Sequence, residues 1–350
     1  MRTELPAGLV VSSYKSDMAV IRTRLQWGLF LALLAFLYTL PLFAGEFIYT
    51  FLVTICITIV AVHGLNIQTG YCGQINLGQA AFMAVGAYTS AILFTRMGLP
   101  FFVCILCAGL CSGLVGLIFG LPASRIKGLY LAMSTVAAQF LIMWAILQVP
   151  QLTGGVNGAP TSRPVIFGID FSSEIAWYYL VISITIIVTW VVKNLMRTKI
   201  GRAFVAIRDN DLAAQIGGIN LTTYKAMAFF IGCFFAGIAG SMWAHTNYIA
   251  HHEPFSFETS IWLLGMLIIG GMGSITGGIL GSIFLKSIET GVSFIPQLFG
   301  GATGLLTLIA ASGLILQGSI IVAFLIFEPR GLYHRWLLFR NSYRVWPFSY

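Results

Sequence analysis

The chain alternates long apolar stretches with short polar punctuation, and the lengths of those stretches decide the fold class. Runs at Trp27–Phe43, Phe47–Ile67, Ala80–Phe94, Phe101–Leu121, Leu129–Val149, Ile175–Val192 and Tyr224–His245 approach the roughly 20 residues that a helix needs to cross a bilayer core. A further stretch, Phe255–Ile295, is either one long tilted helix plus a loop or two helices turning at Gly273-Ser274-Ile275-Thr276-Gly277, and Ala302–Phe327 supplies a last run. The pattern predicts an all-α polytopic membrane protein. A single transmembrane domain occupies residues 1–350, with about ten transmembrane helices and glycine-rich broken or re-entrant segments.

Charge sets the orientation. Lys and Arg gather at the ends of apolar runs: near the start (Arg2, Lys15, Arg22, Arg24), at Arg125 and Lys127, between Lys193 and Arg208, and in the tail at Arg330, Arg335, Arg340 and Arg344. Basic loops stay on the cytoplasmic side, so residues 1–26, 193–223 and 328–350 face inward and both ends are cytoplasmic. Seven spans then leave His245 outside, and three further crossings return the tail. Joining 260–285 into one helix leaves only two further crossings and puts the basic tail outside. Loops 150–174 and 246–254, poor in Lys and Arg, fall outside as the rule expects, while Arg96 at an outer end departs from it. No small-residue cleavage site follows Trp27–Phe43, so this run reads as an anchored helix and not a removed signal peptide.

Composition narrows the function. At 58% hydrophobic and 9% charged, against about 25% charged in soluble domains, the chain is no water-soluble globule and holds no large extramembrane domain. No G-x-x-x-x-G-K-[ST] phosphate loop occurs, so the chain is no intrinsic ATPase. The net charge of +8 is explained by topology and does not call for a nucleic-acid partner. The six cysteines, including Cys104, Cys107 and Cys111 on one apolar run, read as small apolar residues rather than disulfide or metal ligands. His245, His251, His252 and Glu253 are the only cluster of metal-ligand types, but no H-E-x-x-H is present, and no metal or cofactor is expected.

Three uncharged or mixed segments carry the candidate chemistry. Between Gly64 and Gln79, four glycines and the amides Asn66, Gln68, Gln74, Asn76 and Gln79 interrupt apolar sequence. Broken backbone is tolerated in a bilayer only where protein buries it or it lines a wet cavity, so Gln68, Gln74, Asn76 and Gln79 line a pathway or tie helices together. In Gly201–Asn220, Asp209 or Asn210 caps a short helix through Leu212–Ile216, and Gly217-Gly218 ends it. A helix of about two turns is unstable alone, which makes this one a docking element. The run Gly270–Gly281 has no preceding strand, so it is a turn and packing segment, with Gly271, Gly273, Gly277 and Gly281 as close-approach positions.

Five segments, in order, resemble the permease subunits of bacterial ABC importers of the branched-chain amino-acid type, a family that also includes urea and short-chain amide permeases. They are GLNIQTGYCGQINLGQAAFMAVGAY at 64–88, LTGGVNG at 152–158, GRAFVAIRDNDLAAQIGGIN at 201–220, GMLIIGGMGSITGGILG at 265–281 and FEPRGL at 327–332. The LTGG segment and the long 201–220 loop are closer to the second permease of the heterodimeric pair. The resemblance implies half of a translocation pathway in the bacterial inner membrane, a related second permease, two cytoplasmic ATP-binding subunits and a periplasmic substrate-binding protein. It implies ATPase coupling through Arg202, Arg208, Asp209, Ala213, Ala214 and Gly217. Asn76, where the family commonly has Ser, and Gln79, where His is common, depart from the pattern and leave open whether the solute is a branched-chain amino acid or urea. A stand-alone secondary transporter would need a membrane-embedded acid, for which Glu289 is the candidate. An intramembrane hydrolase would need His251 or His252 beside a nucleophile at membrane depth.

Overall fold

The computed structural model describes residues 24–43, 45–123, 128–166, 168–298 and 331–345, with isolated positions between 315 and 328. The amino-terminal basic cluster apart from Arg24, the Arg125/Lys127 pair and most of the Ala302–Phe327 run lie outside the described residues. The helices are α1 (Arg24–Thr39), α2 (Glu46–Leu65), α3 (Gln79–Met97), α4 (Phe101–Ala123), α5 (Leu129–Gln148), the single turn α6 (Pro150–Thr153), α7 (Glu174–Arg197), α8 (Lys199–Asp209), α9 (Asp211–Ile216), α10 (Leu221–Asn247), α11 (Phe257–Gly270), α12 (Ile275–Leu298) and α13 (Leu332–Val345). The only strands among the described residues are two-residue pairs: Ala159–Pro160 with Ile249–Ala250, and Val165–Ile166 with Ile169–Asp170.

Among the described residues, six helices are long and apolar enough to cross a membrane: Glu46–Tyr71, Gln79–Met97, Phe101–Pro122, Tyr130–Gln148, Glu174–Arg197 and Leu221–Asn247. They coincide with six of the apolar runs, extended by a few residues at several ends. The Phe255–Ile295 stretch forms two helices, as the charge-based count of crossings expects, and the chain bends by 120° between them. At 1.5 Å per residue, the 14 residues of α11 reach about 21 Å, short of the roughly 30 Å core. α11 is therefore too short to span the core alone, and it bends directly into α12. The protein is an all-α polytopic membrane protein; the described residues supply six spans and this bent pair.

Burial separates lipid from core. Leu106, Leu110, Leu114 and Ile118 project outward along α4, as do Met133, Phe140 and Trp144 on α5 and Ile187 and Trp190 on α7. These are the faces a bilayer covers. α10 lies at the centre, with Phe229, Cys233, Ala236, Ala239 and Met242 fully enclosed or nearly so. Its glycines set how close its neighbours come. A Cβ on Gly240 would lie 1.8 Å from the Met83 carbonyl oxygen of α3, and one on Gly86 would lie 2.3 Å from the Gly237 backbone. Small residues bring membrane helices together in this way because lipid gives no hydrophobic drive for association.

The end of the bundle opposite α8 and α9 is closed by the 150–174 segment. Ala159 pairs with Ala250, Thr161 N donates to the Tyr248 carbonyl, and the Arg96 guanidinium donates to the Gln151 carbonyl. Arg163, its side chain 2% exposed, pairs with Glu174 at 2.6 Å and lies over the rings of Tyr248 and Trp177. This Arg is a clamp between the loop, α7 and the end of α10. Lys286 and Glu289, one helical turn apart, pair at 2.8 Å on α12, so each offsets the other's charge.

Gly240→Leu should therefore lower stability by at least about 2 kcal/mol, as overpacking does, whereas Leu114→Ala on the lipid face should change it by much less. Heating purified protein in detergent and following the monodisperse gel-filtration peak separates the two variants; equal midpoints would contradict the central placement of α10.

Candidate functional site

The break between α2 and α3 is the least regular part of the membrane-embedded chain. α2 continues past Leu65 as a wider turn over Asn66–Tyr71, with Cys72 N bonded to the Ile67 carbonyl at 3.2 Å. Wider turns of this kind free carbonyls and commonly mark functional segments. α3 then starts at Gln79, inside the bundle, where its first N–H groups have no water to meet. Gln139, the midpoint of α5, supplies the missing partner. Its Oε1 accepts from Ala81 N at 2.9 Å and from Ser260 Oγ at 3.1 Å, and its Nε2 donates to the Phe255 carbonyl at 2.7 Å. Ser260 in turn accepts from Ala80 N at 2.9 Å, while Leu77 N donates to Thr135 Oγ1. One α5 amide thus serves the starts of both α3 and the short α11.

Three of the four predicted lining amides face each other. Asn76 Nδ2 donates to Gln68 Oε1 at 2.6 Å and to Gln79 Oε1 at 2.9 Å, and Asn76 Oδ1 accepts from Gly78 N. Gln68 Nε2 reaches the Phe229 carbonyl and Gln79 Nε2 the Gly232 and Ala61 carbonyls. All three side chains are fully buried, and together they stitch the break to α10. Gln74 differs. Its backbone is held, N to the Gln68 carbonyl and O from Thr69 Oγ1, yet neither Oε1 nor Nε2 has a partner among the described residues. It lines a cavity of about 370 Å³ shared with Arg208, Asp211 and Lys225.

The 201–220 segment folds into two helices. α8, whose buried Ala203, Phe204 and Ile207 pack against the bundle, was not predicted from sequence, although those apolar positions recur at helical spacing. α9 is the predicted short helix: Asn210 Oδ1 accepts from Ala213 N at 3.1 Å as its cap, and Gly217 and Gly218 follow its end. Gly218, at φ +86°, occupies the left-handed conformation, while Gly217 has an ordinary φ of −73°. Ala214 is buried and Ala213 exposed. Leu212 and Ile216, 65% and 89% exposed, form an apolar pair one turn apart that sequence reading passed over. Arg202 is exposed and bonds the Arg197 carbonyl.

Arg208 connects this segment to the break. Its Nη1 donates to the Gly70 carbonyl at 3.0 Å, and its Nε and Nη2 hold Asp209 Oδ1. The 271–274 turn meets the same place. Asn66 Nδ2 donates to the Ser274 carbonyl at 3.0 Å and Asn66 Oδ1 accepts from Gly273 N at 2.9 Å. A Cβ on Gly273, at φ +75°, would lie 2.7 Å from Arg208 Nη1. Gly277 and Gly281 let α12 lie against the α11 backbone; a Cβ on Gly281 would come within 2.0 Å of the Met266 carbonyl oxygen. A Cβ on Gly331 would lie 2.7 Å from Gly271 N and Cα, so Gly331 packs closely at the turn. Gly271, Gly273, Arg208 and the α2–α3 break therefore form one assembly.

The remaining histidine candidates do not converge on a ligand. No group of three or more His, Cys, Asp or Glu among the described residues has the geometry to hold a metal ion. His245 is enclosed by Phe94, Phe101 and Trp177 and bonded to Ser90 and the Ser162 carbonyl. His251 bonds the Val156 carbonyl. All six cysteines are free.

Long apolar helices around a satisfied polar break, with amphipathic helices at one end, define a multi-pass membrane permease. Residues 47–325 match the family described as branched-chain amino acid transport system / permease component, and the chain belongs to that family. Over 246 residues it is 32% identical to the high-affinity branched-chain amino acid transport system permease protein LivM of Salmonella typhimurium, and equally to LivM of Escherichia coli; the matches cover 63% of this chain and 58% of each relative. It is also 28% identical over 218 residues to the autoinducer 2 import system permease protein LsrC of Salmonella paratyphi B, covering 52% of this chain and 60% of that relative. The chain thus matches somewhat over half the length of these curated relatives. No solved structure matches.

The amides predict opposite phenotypes. Asn76→Leu removes partners from Gln68, Gln79 and Gly78 N and should cost about 3 kcal/mol or more, at roughly 1–3 kcal/mol per stranded group. Gln74→Leu, replacing an amide without partners, should leave the thermal midpoint unchanged or raise it. Thermal melts of both variants in detergent check this; a Gln74 variant as unstable as the Asn76 variant would refute the assignment.

Proposed function

We propose that the chain is the transmembrane subunit of an ATP-driven importer, forming half of a pathway for a small polar solute, with branched-chain amino acids as the solute class. The observation that carries the reading is α9: a capped two-turn helix whose Leu212 and Ile216 stand exposed while α8 and Arg208 fasten its base to the membrane-embedded break. A helix too short to stand alone, displaying an apolar pair outside the bundle, suits insertion into a cleft of a separate ATPase. The names of the LivM relatives favour branched-chain amino acids; the LsrC likeness keeps other solutes in view, and urea or a short-chain amide is the second choice. ATP hydrolysis then belongs to two partner subunits, and the chain itself is no enzyme. A related permease completes the pathway and a periplasmic binding protein delivers solute.

In this reading residues 193–223 form the cytoplasmic coupling loop, with Arg202, Arg208, Asp209, Ala213, Ala214 and Gly217 in it, and the protein lies in the bacterial inner membrane with both ends cytoplasmic and about ten transmembrane helices, α12 and the short α11 among them. Gln74 contributes to the wet side of the pathway; Gln68, Asn76 and Gln79 shape its wall. A stand-alone secondary transporter is less well supported, because Glu289 is already paired with Lys286.

Leu212→Asp together with Ile216→Asp should abolish solute-stimulated ATP hydrolysis and uptake in a reconstituted complex while leaving membrane insertion intact; undiminished coupling would refute the docking role. Orientation has its own check in a cysteine-free background. A cysteine at 216 should react with an impermeant maleimide only from the cytoplasmic side and one at 156 only from the periplasmic side, and labelling of both from one side would overturn the topology.

A further inference from the structure

The cavity beneath the joint of α8 and α9 holds one polar group that the fold leaves unused. Gln74 is 2% exposed, and both its amide atoms lack partners among the described residues, in contrast to Gln68, Asn76 and Gln79 nearby, whose amides are all engaged. A buried unsatisfied amide is costly and is retained where something else bonds it. Lys225, also buried, forms a long ion pair with Asp211 at 3.9 Å, looser than a close charge-assisted bond of roughly 2.7–2.9 Å. Arg208 and Asp209 border the same space, and Leu131 gives it an apolar wall. Its volume of about 370 Å³ is at the small end of the range of about 300–1,000 Å³ for small-molecule sites.

These groups are complementary to a small molecule carrying both charges. A carboxylate meets the Lys225 ammonium and the Gln74 amide N–H; an ammonium meets Asp211 and the Gln74 amide oxygen; a short aliphatic side chain meets Leu131. A simple anion or cation would engage only one half of the set. We propose that this cavity binds a small zwitterion of the α-amino-acid type on the coupling-loop side of the protein. The proposal rests on the permease reading, which makes the ligand the imported solute after release. Occupied, the cavity ties the break, α8, the α8–α9 joint and α10 together.

The test is equilibrium binding of radiolabelled leucine to the full chain in lipid nanodiscs without a binding protein. Saturable binding is expected, competed by unlabelled leucine but not by isovalerate or isobutylamine, and weakened at least tenfold in Lys225→Gln and in Gln74→Leu. Should those variants fail to elute as a single species, leucine must instead protect Asp209→Cys, at the rim, from maleimide. Absence of saturable binding, binding indifferent to both substitutions, full competition by isovalerate alone, or no protection would each overturn the site. ATP-driven leucine uptake by the complete complex is scored separately: uptake without this binding leaves the permease reading standing and removes the site, whereas binding without uptake does the reverse.

Discussion

The structure depends on satisfying the backbone where α2 gives way to α3 inside apolar surroundings. In water the freed N–H and C=O groups would be solvated; in a bilayer each costs several kcal/mol unless protein answers it. The chain answers with uncharged amides. Gln139 serves the starts of α3 and α11, Asn76 ties Gln68 to Gln79, and Asn66 takes both a carbonyl and an N–H of the 271–274 turn. Amides suit the task because they donate and accept at once and carry no charge to desolvate. The glycines of α3 and α10 then bring neighbouring backbones close enough for such short side chains to reach.

The same need links the membrane-embedded break to the helices outside the bundle. The Gly70 carbonyl, freed by the wide turn after α2, accepts from Arg208, so the residue that completes the break belongs to α8. Gly273 fits beneath that guanidinium only because it lacks a Cβ, and Gly331 rests on Gly271. Three segments distant in sequence, the break, α8 and the 271–274 turn, therefore share one set of hydrogen bonds. Under the proposed function, a displacement of α9 by a partner ATPase would have a short, polar route to α11 and to the amide cluster, with no long apolar lever between them.

Much of this was readable before any coordinates. The six long spans follow from apolar runs because lipid forces uninterrupted helices, and the turn in 255–295 followed from the charge-based count of crossings, its glycines marking the place. Asn210 as the cap of α9 was visible from spacing alone. The amide-rich stretch was recognised as special, yet its pairings were not: whether Gln68 faces a pathway or Asn76 depends on α10, some 160 residues away, and no local pattern encodes that contact. α8 escaped because its buried positions are interleaved with Arg and Lys, and Arg208, placed in the coupling loop from sequence, proved to reach the Gly70 carbonyl as well. Gln139 was missed altogether, as a lone amide in an apolar helix carries no signal until the helix starts it serves are in place.

The most direct measurement is amide hydrogen exchange on Asn66→Ala in lipid nanodiscs, followed at three segments: 70–74, 271–275 and 205–210. If the break, the 271–274 turn and α8 are held by one shared set of bonds, exchange should accelerate in all three together, although Asn66 itself touches only the turn and its own helix. Acceleration confined to 271–275, with 205–210 exchanging as in the unaltered protein, would contradict that account.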